Sequence, residues 1–484
     1  MNHPRIIQTN RPTRTRALLA LASLCVAAGS LLSAPGCSKA RSSAVVLPEA
    51  RSIEDMGGRF IVALNDADMN ADSFVTRDLG ERDPRVHDSI TIVSLPIQEP
   101  STPFAQIKVS NSALGPPRCL DIDPAGDTLY VVESRGPAHE SARTLDDLPP
   151  GEYLAVIDVR NPLEPEQVQN VYAGTEPTSV SASPRGDLLA IATRTPGEQL
   201  VLAALENGRV TSTPDGKPAV LAWPLYGVSE SDDAAPSSIA WSPDGDTIAV
   251  TIPARNQVAF YRLTRDADGS ISLAVWGSPV NVGKYPYLGS FSRDGQYFLV
   301  SCTGWGEDVP GFSVGAAPGS IDVVRLGTIA RQTDQGLVTE REHEVVSSAR
   351  VGIGPKAMAL SPDGRTVVAA NTAASPQAAS APSDDHDSAA RSGSVSLLVF
   401  DPPSGMLTTI SEQLLSAVPA DVCFDSTGRI VGVTQFRSFD PRAVDGELGL
   451  WSIVRGPRGD AAGLKSLDRF IGLGKGPHAT LIAP

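Results

Sequence analysis

A single unit written seven times constrains this chain more than any other feature of it. The clearest copy is Val351 to Asn371, VGIGPKAMALSPDGRTVVAAN. It holds a small-residue turn ending in Pro355, an alternating apolar run through Ala357 and Ala359, a Ser-Pro-Asp-Gly turn, and a β-branched run at Val367 and Val368. That order reads as strand, hairpin turn, strand. The proline recurs at Pro117, Pro177, Pro236, Pro286, Pro355, Pro419 and Pro477, at intervals of 60, 59, 50, 69, 64 and 58 residues. Six copies carry a glycine nine residues later, at Gly126, Gly186, Gly245, Gly295, Gly364 and Gly428. A constant hairpin inside a variable period is the mark of a repeat architecture with elastic loops.

The seventh copy accounts for both ends of the repeat array. After Pro477 the sequence runs HATLIAP to Pro484, a first strand with no hairpin partner. Gly57, Gly58 and Arg59 to Asn65 (RFIVALN) read as the missing post-turn strand. The expectation is a ring closed by pairing the C-terminal strand with N-terminal strands, which leaves no open sheet edge. Each repeat completes as four antiparallel strands. In the first these are Arg118 to Asp123, Thr128 to Glu133, Tyr153 to Val159, and about Gln167 to Val171. The last two strands join through NPLEP in the first repeat, Asn207-Gly208 in the second, DADGS in the third and DPPSG in the fifth, all turn-forming sequences. The fold class is therefore all-β, a seven-bladed β-propeller of four-stranded antiparallel blades.

Antiparallel order places the second-to-third and fourth-to-first strand connections on one face, here the top. All the long insertions are expected there: Glu133 to Glu152, Cys302 to Ser320, Thr372 to Ser392, Gln435 to Glu447 and Asn65 to Asp88, in blades 1, 4, 5, 6 and 7. The corresponding loops of blades 2 and 3, Arg194 to Glu198 and Pro253 to Asn256, are short. The prediction is a walled top face with a low side at blades 2 and 3, and function on its loops.

Composition is globular, with 41% hydrophobic and 20% charged residues, and the repeats run unbroken from Gly57 to Pro484, so one large domain is expected. A net charge of −15 argues against a nucleic-acid partner, which is held through clustered Lys and Arg. At the N-terminus, Arg5, Arg11, Arg14 and Arg16 precede the apolar run Ala17 to Leu32, then small residues and Cys37. This is a secretory address rather than a membrane span. The stretch LLSAPGC resembles the bacterial lipoprotein signal, in which the cysteine becomes the lipidated first residue, although Pro35 departs from the usual pattern. The expected division is a signal peptide at 1–36, lipidation at Cys37, a tether at 37–54 and the propeller at 55–484. Plain secretion is the second reading. The protein is expected in the periplasm or anchored to the outer membrane, touching membrane through the lipid alone, as a monomer. Cys119, Cys302 and Cys423 lie in three different repeats and read as buried small hydrophobes. No CxxCH or CxxC occurs, so neither covalent haem nor a zinc knuckle is expected.

The unit VGxGPxxxALSPDGxxVxxAN resembles the bacterial YVTN-type β-propeller repeat, a WD40-like arrangement, and the stretch Gly57 to Pro484 looks like the lactonase-like seven-bladed propellers. The resemblance implies the fold. It implies several functions at once, because that superfamily holds lactonases, amine-dehydrogenase subunits and binding proteins of the cell envelope, and it transfers no catalytic set onto numbered positions.

Candidate sites follow from the repeat. The residue after each proline should ring the top mouth of the central channel: Arg118, Thr178, Ser237, Tyr287, Lys356, Ala420 and His478. With Lys284 and Lys475 just upstream this predicts a basic funnel for a small anionic ligand, bound by Arg118, Tyr287, Lys356, His478, Lys284 and Lys475. Polar, hydrated strand ends are the plainer reading. His478 is the candidate catalytic acid or base, against a hydrogen-bonded structural role. Asp66, Asp68, Asn70 and Asp72 alternate like the start of a calcium loop, without its glycine or terminal glutamate, and a solvated acidic loop is the alternative. Asp384 to Asp387 (DDHD) sits in an Ala/Ser/Pro-rich stretch that reads as flexible. No cofactor motif is present. The leading functional expectation is an envelope-anchored binding or scaffold protein that takes a ligand or protein partner on the top face. The alternatives are a lactonase-like hydrolase or isomerase acting on a small lactone or sugar acid, and a propeller subunit that docks a redox partner.

Overall fold

The Ser-Pro-Asp-Gly turn shows how one repeat folds. In the computed structural model, Ser361 Oγ accepts the N–H of Thr366 at 2.9 Å and Asp363 Oδ1 accepts that of Arg365 at 3.0 Å. Gly364, at φ +71°, donates its N–H to the Ser361 carbonyl at 2.8 Å. Side chains thus satisfy the turn's backbone, and glycine supplies the left-handed residue at no steric cost. The structure describes residues 50 and 52–484, apart from 70–77, 80–82, 84, 99–101, 112–116, 229–233, 267–269, 306–316, 328, 334–335, 341, 374–392 and 437–445.

Seven antiparallel blades result. Their innermost strands are Leu120–Ile122, Ser179–Ala182, Ser238–Trp241, Pro286–Phe291, Ile353–Leu360, Val418–Phe424 and Pro477–Ala483. In blade 1 the other strands are Thr128–Val132, Tyr153–Asp158 and Glu166–Tyr172, each within a residue of its expected bounds. Arg118 lies in a short 3-10 turn, Pro117–Cys119, just before the strand it was expected to begin. Middle strands are apolar on both faces, as in Leu188–Ala192 (LLAIA), because each blade is covered by a neighbour on either side. Outermost strands alternate, as in Phe104–Lys108, because only one face is covered.

The ring closes as expected. Pro477–Ala483 pairs antiparallel with Phe60–Asn65 in the register Phe60↔Ala483, Val62↔Leu481 and Leu64↔Ala479. Ser89–Ser94 and Phe104–Lys108 complete that seventh blade. Ala50 and Ile53, upstream of it, pack with Met56, Ile61, Ile430 and Leu448 against blades 6 and 7. One insertion departs from expectation. In blade 4 the chain between the third and fourth strands forms a hairpin of its own, Ile329–Thr333 with Gly336–Glu340, on the bottom face. Long insertions are therefore not confined to the top; this one satisfies its backbone groups by pairing with itself.

A candidate site between blades 7 and 1

Of the residues predicted to form an open basic funnel, Arg118, Tyr287, Lys356 and His478 come together, and the structure corrects their exposure. Lys356 is 3% exposed and His478 3%, while Tyr287, Thr178, Ser237 and Lys475 are also buried. Arg118 and Lys284 are half-buried. Two ring hydroxyls serve as stitches between blades: Thr178 Oγ1 donates to the Pro236 carbonyl at 2.7 Å, and Ser237 Oγ to the Pro286 carbonyl at 3.1 Å. His478 is held on both sides. Its Nε2–H donates to Asn111 Oδ1 at 2.6 Å, and its Nδ1 faces the Cys119 thiol at 3.8 Å. Burial, then the Lys356 ammonium, push the His478 pKa down to about 3, so the ring is neutral at physiological pH.

Asp421, from blade 6, completes this axial cluster. Its carboxylate accepts the N–H of Thr480 at 2.8 Å, across to the closing strand, and that of Val422 at 2.8 Å. Burial raises its pKa to about 7, against those hydrogen bonds and the charges of Arg118 and Lys356. Burial lowers Lys356 to about 7, opposed by Asp421. Residues from blades 1, 5, 6 and 7 thus form one compact network.

A lid of apolar side chains packs against the blade 6 side of the axis. Met69 and Leu79, from the blade 7 insertion, pack with Ala142, Leu145 and Leu148 of the blade 1 insertion and with Val418, Ala420 and Phe436 of blade 6. Ala420 is the one apolar member of the predicted ring, and the lid rests on it. The two insertions are also joined by backbone: Leu79 N–H donates to the Arg143 carbonyl at 2.9 Å, and Asp68 Oδ2 accepts the Ala138 N–H at 3.1 Å. Insertions expected as walls therefore fold inward over the mouth.

Outside the lid the same insertions bound a cavity of about 1210 Å³ that runs between blades 7 and 1. Six carboxylates line it (Asp68, Asp78, Asp83, Asp88, Glu133 and Glu140) against two fixed cations, Lys108 and Arg143, with His87 and the Tyr153 ring also facing in. Arg143 directs its guanidinium at the carbonyls of Glu140 and Ala142. Asp88 accepts the N–H of Ala67 at 2.9 Å and of Asn111 at 3.3 Å. Burial first, and then the neighbouring Asp66 carboxylate, raise its pKa well above the ordinary range. Asp66, Asp68 and Asp88 bring ligand-type oxygens within 4.8 Å of one another. Two of the predicted calcium residues are therefore together, joined by Asp88 from the far end of the loop; Asn70 and Asp72 lie outside the described residues, as do Cys37 and Asp384 to Asp387. Asp88 and Glu133 were missed from sequence because each is the flank of a strand. Their one signal was acidity at the two ends of long insertions. Of the other histidines, His343 Nε2 meets the Trp276 carbonyl within an aromatic cluster, and His139 bonds Ser141.

No family model matches the chain, and no curated protein matches it. Solved structures do. A proposed 6-phosphogluconolactonase from Bacteroides fragilis NCTC 9343 is 13% identical, with a TM-score of 0.54 over 88% of this chain and 97% of that one. The likeness is one of fold. A second such protein, from Bacteroides uniformis ATCC 8492, gives 14% identity and a TM-score of 0.53 over 88% and 99% of the two chains. A functionally unknown protein from Desulfotomaculum acetoxidans DSM 771 gives 13% and 0.52 over the same shares.

Proposed function

We propose that this is an envelope-anchored binding protein whose ligand enters the cavity between blades 7 and 1. One observation carries the reading: the large described cavity lies between the two insertions, whereas the axial residues are packed away beneath the lid. A lactonase-like hydrolase built on His478 would need that imidazole to reach both substrate and water, yet it is 3% exposed and bonded to Asn111. Anchoring rests on the N-terminal signal and Cys37.

Thermal shift of the purified protein against lactones, sugar phosphates, carboxylates and amines tests the reading, since a ligand that binds only the folded state raises its melting temperature. The expected hit is lost in Glu133→Gln and Asp88→Asn and kept in His478→Gln. A hit lost in His478→Gln, kept in Glu133→Gln and turned over by the protein would overturn the binding role in favour of the enzyme. In cells, Cys37→Ala is expected to release the protein from the membrane fraction.

A further inference from the structure

Glu133 marks what the cavity is built to receive. It is 9% exposed, lines the cavity, and makes no ion pair among the described residues. Its carboxylate accepts one long hydrogen bond, from the Glu152 N–H at 3.4 Å. A carboxylate that buried normally has a cationic partner, because withdrawal from water is costly otherwise. On the same cavity Asp88 is half-buried and accepts the backbone N–H groups of Ala67 and Asn111, with Asp66 and Asp68 beside it. The negative charge is spread over the cavity, from Asp68 and Asp88 on blade 7 to Glu133 on blade 1, rather than gathered at one point. A single ion would occupy a small part of about 1210 Å³. Tyr153, 43% exposed, offers a ring face on the blade 1 side.

We infer that the ligand is an extended organic cation carrying two or more amine groups, one ammonium held at Asp68 and Asp88 and another at Glu133, with its chain passing Tyr153. This rests on the cavity being the binding site. The chemistry is charge-assisted hydrogen bonding from ammonium groups to buried and half-buried carboxylates, with cation–π contact on an aromatic face.

Isothermal titration of the purified protein with 1,4-diaminobutane and its linear triamine homologue tests it, alongside neutral 1,4-butanediol, succinate and calcium chloride. The expected result is saturable binding of the amines, tighter for the triamine, with no response to the diol or succinate. Glu133→Gln and Asp68→Asn are each expected to weaken amine binding about tenfold or more, the loss of one charge-assisted contact. Tyr153→Ala is expected to weaken it about threefold. Both Gln and Asn keep the shape of the residue replaced, and circular dichroism checks that the variants are folded. Binding of succinate, lost in Glu133→Gln, would overturn the amine class and leave the cavity as the site. Amine binding unchanged in every variant would overturn both. Calcium binding at Asp66, Asp68 and Asp88 that amines fail to displace would also overturn the amine assignment.

Discussion

Deleting Gly476 to Pro484 is expected to abolish folding: no soluble protein, or aggregated protein with no cooperative melting transition. The deleted strand is the innermost of blade 7, paired along Phe60–Asn65, and its loss exposes a strand that is fully buried in the intact ring. The damage extends further than one blade. Thr480 supplies the N–H held by Asp421 of blade 6 at 2.8 Å, and His478 supplies the contact to Asn111 at 2.6 Å. Two blade interfaces are opened, and the freed edge of Phe60–Asn65 offers unpaired backbone groups and apolar side chains to other molecules. A soluble truncated chain with a single cooperative transition would show that the ring does not depend on this closure.

The second large effect is expected at Asp421. Asp421→Ala strips the Thr480 and Val422 N–H groups of their acceptor. The expected cost at pH 5 is roughly 2–3 kcal/mol, the two buried N–H groups left without an acceptor, read from urea unfolding. Its pH dependence separates charge from packing. Asp421 is raised from 3.8 to about 7 in the folded protein, so it contributes stability that is fully present below about 3.8 and lost as pH rises through 7. The gap between wild type and variant is therefore expected to narrow from pH 4 to pH 7, by at most about 1.4 kcal/mol per pH unit. His478 shifts the opposite way: its pKa is lowered from 6.5 to about 3, so its contribution is present above 6.5 and lost as pH falls through 3. It remains in both proteins and drops out of the comparison to first order. A gap that is constant from pH 4 to 7 would show that the Asp421 pKa is not raised in the folded protein.

The ring was legible in the sequence because its signal is periodic. Pro355 and Gly364 recur at fixed spacing, and the glycine's left-handed turn survives any change in the loops between copies. Even closure followed from one missing half-repeat. The lid was not legible, because Met69, Leu79, Leu145 and Leu148 sit in insertions without periodicity and become neighbours only when blade 7 is drawn up beside blade 1. That same event changes the meaning of the axial residues. Lys356 and His478 were correctly placed around one axis; whether water reaches them depends on loops that carry no repeat signal. Glu133 and Asp88 illustrate the converse. Each looks like the frayed end of a strand, and only the meeting of two insertions puts them on one cavity.

The most direct test of this arrangement is the native-state reactivity of Cys119, which is fully buried on the axis with its thiol 3.8 Å from His478 Nδ1. Labelling of the folded protein with a small thiol reagent, with the modified peptides identified by mass spectrometry, measures access to the axis beneath the lid. Modification of Cys119 no faster than that of Cys302 and Cys423, and only as fast as the protein unfolds, is the result expected of a sealed axis with its ligand site between blades 7 and 1. Rapid labelling of Cys119 while the other two stay protected would contradict it, and would restore the axis as the place where ligands enter.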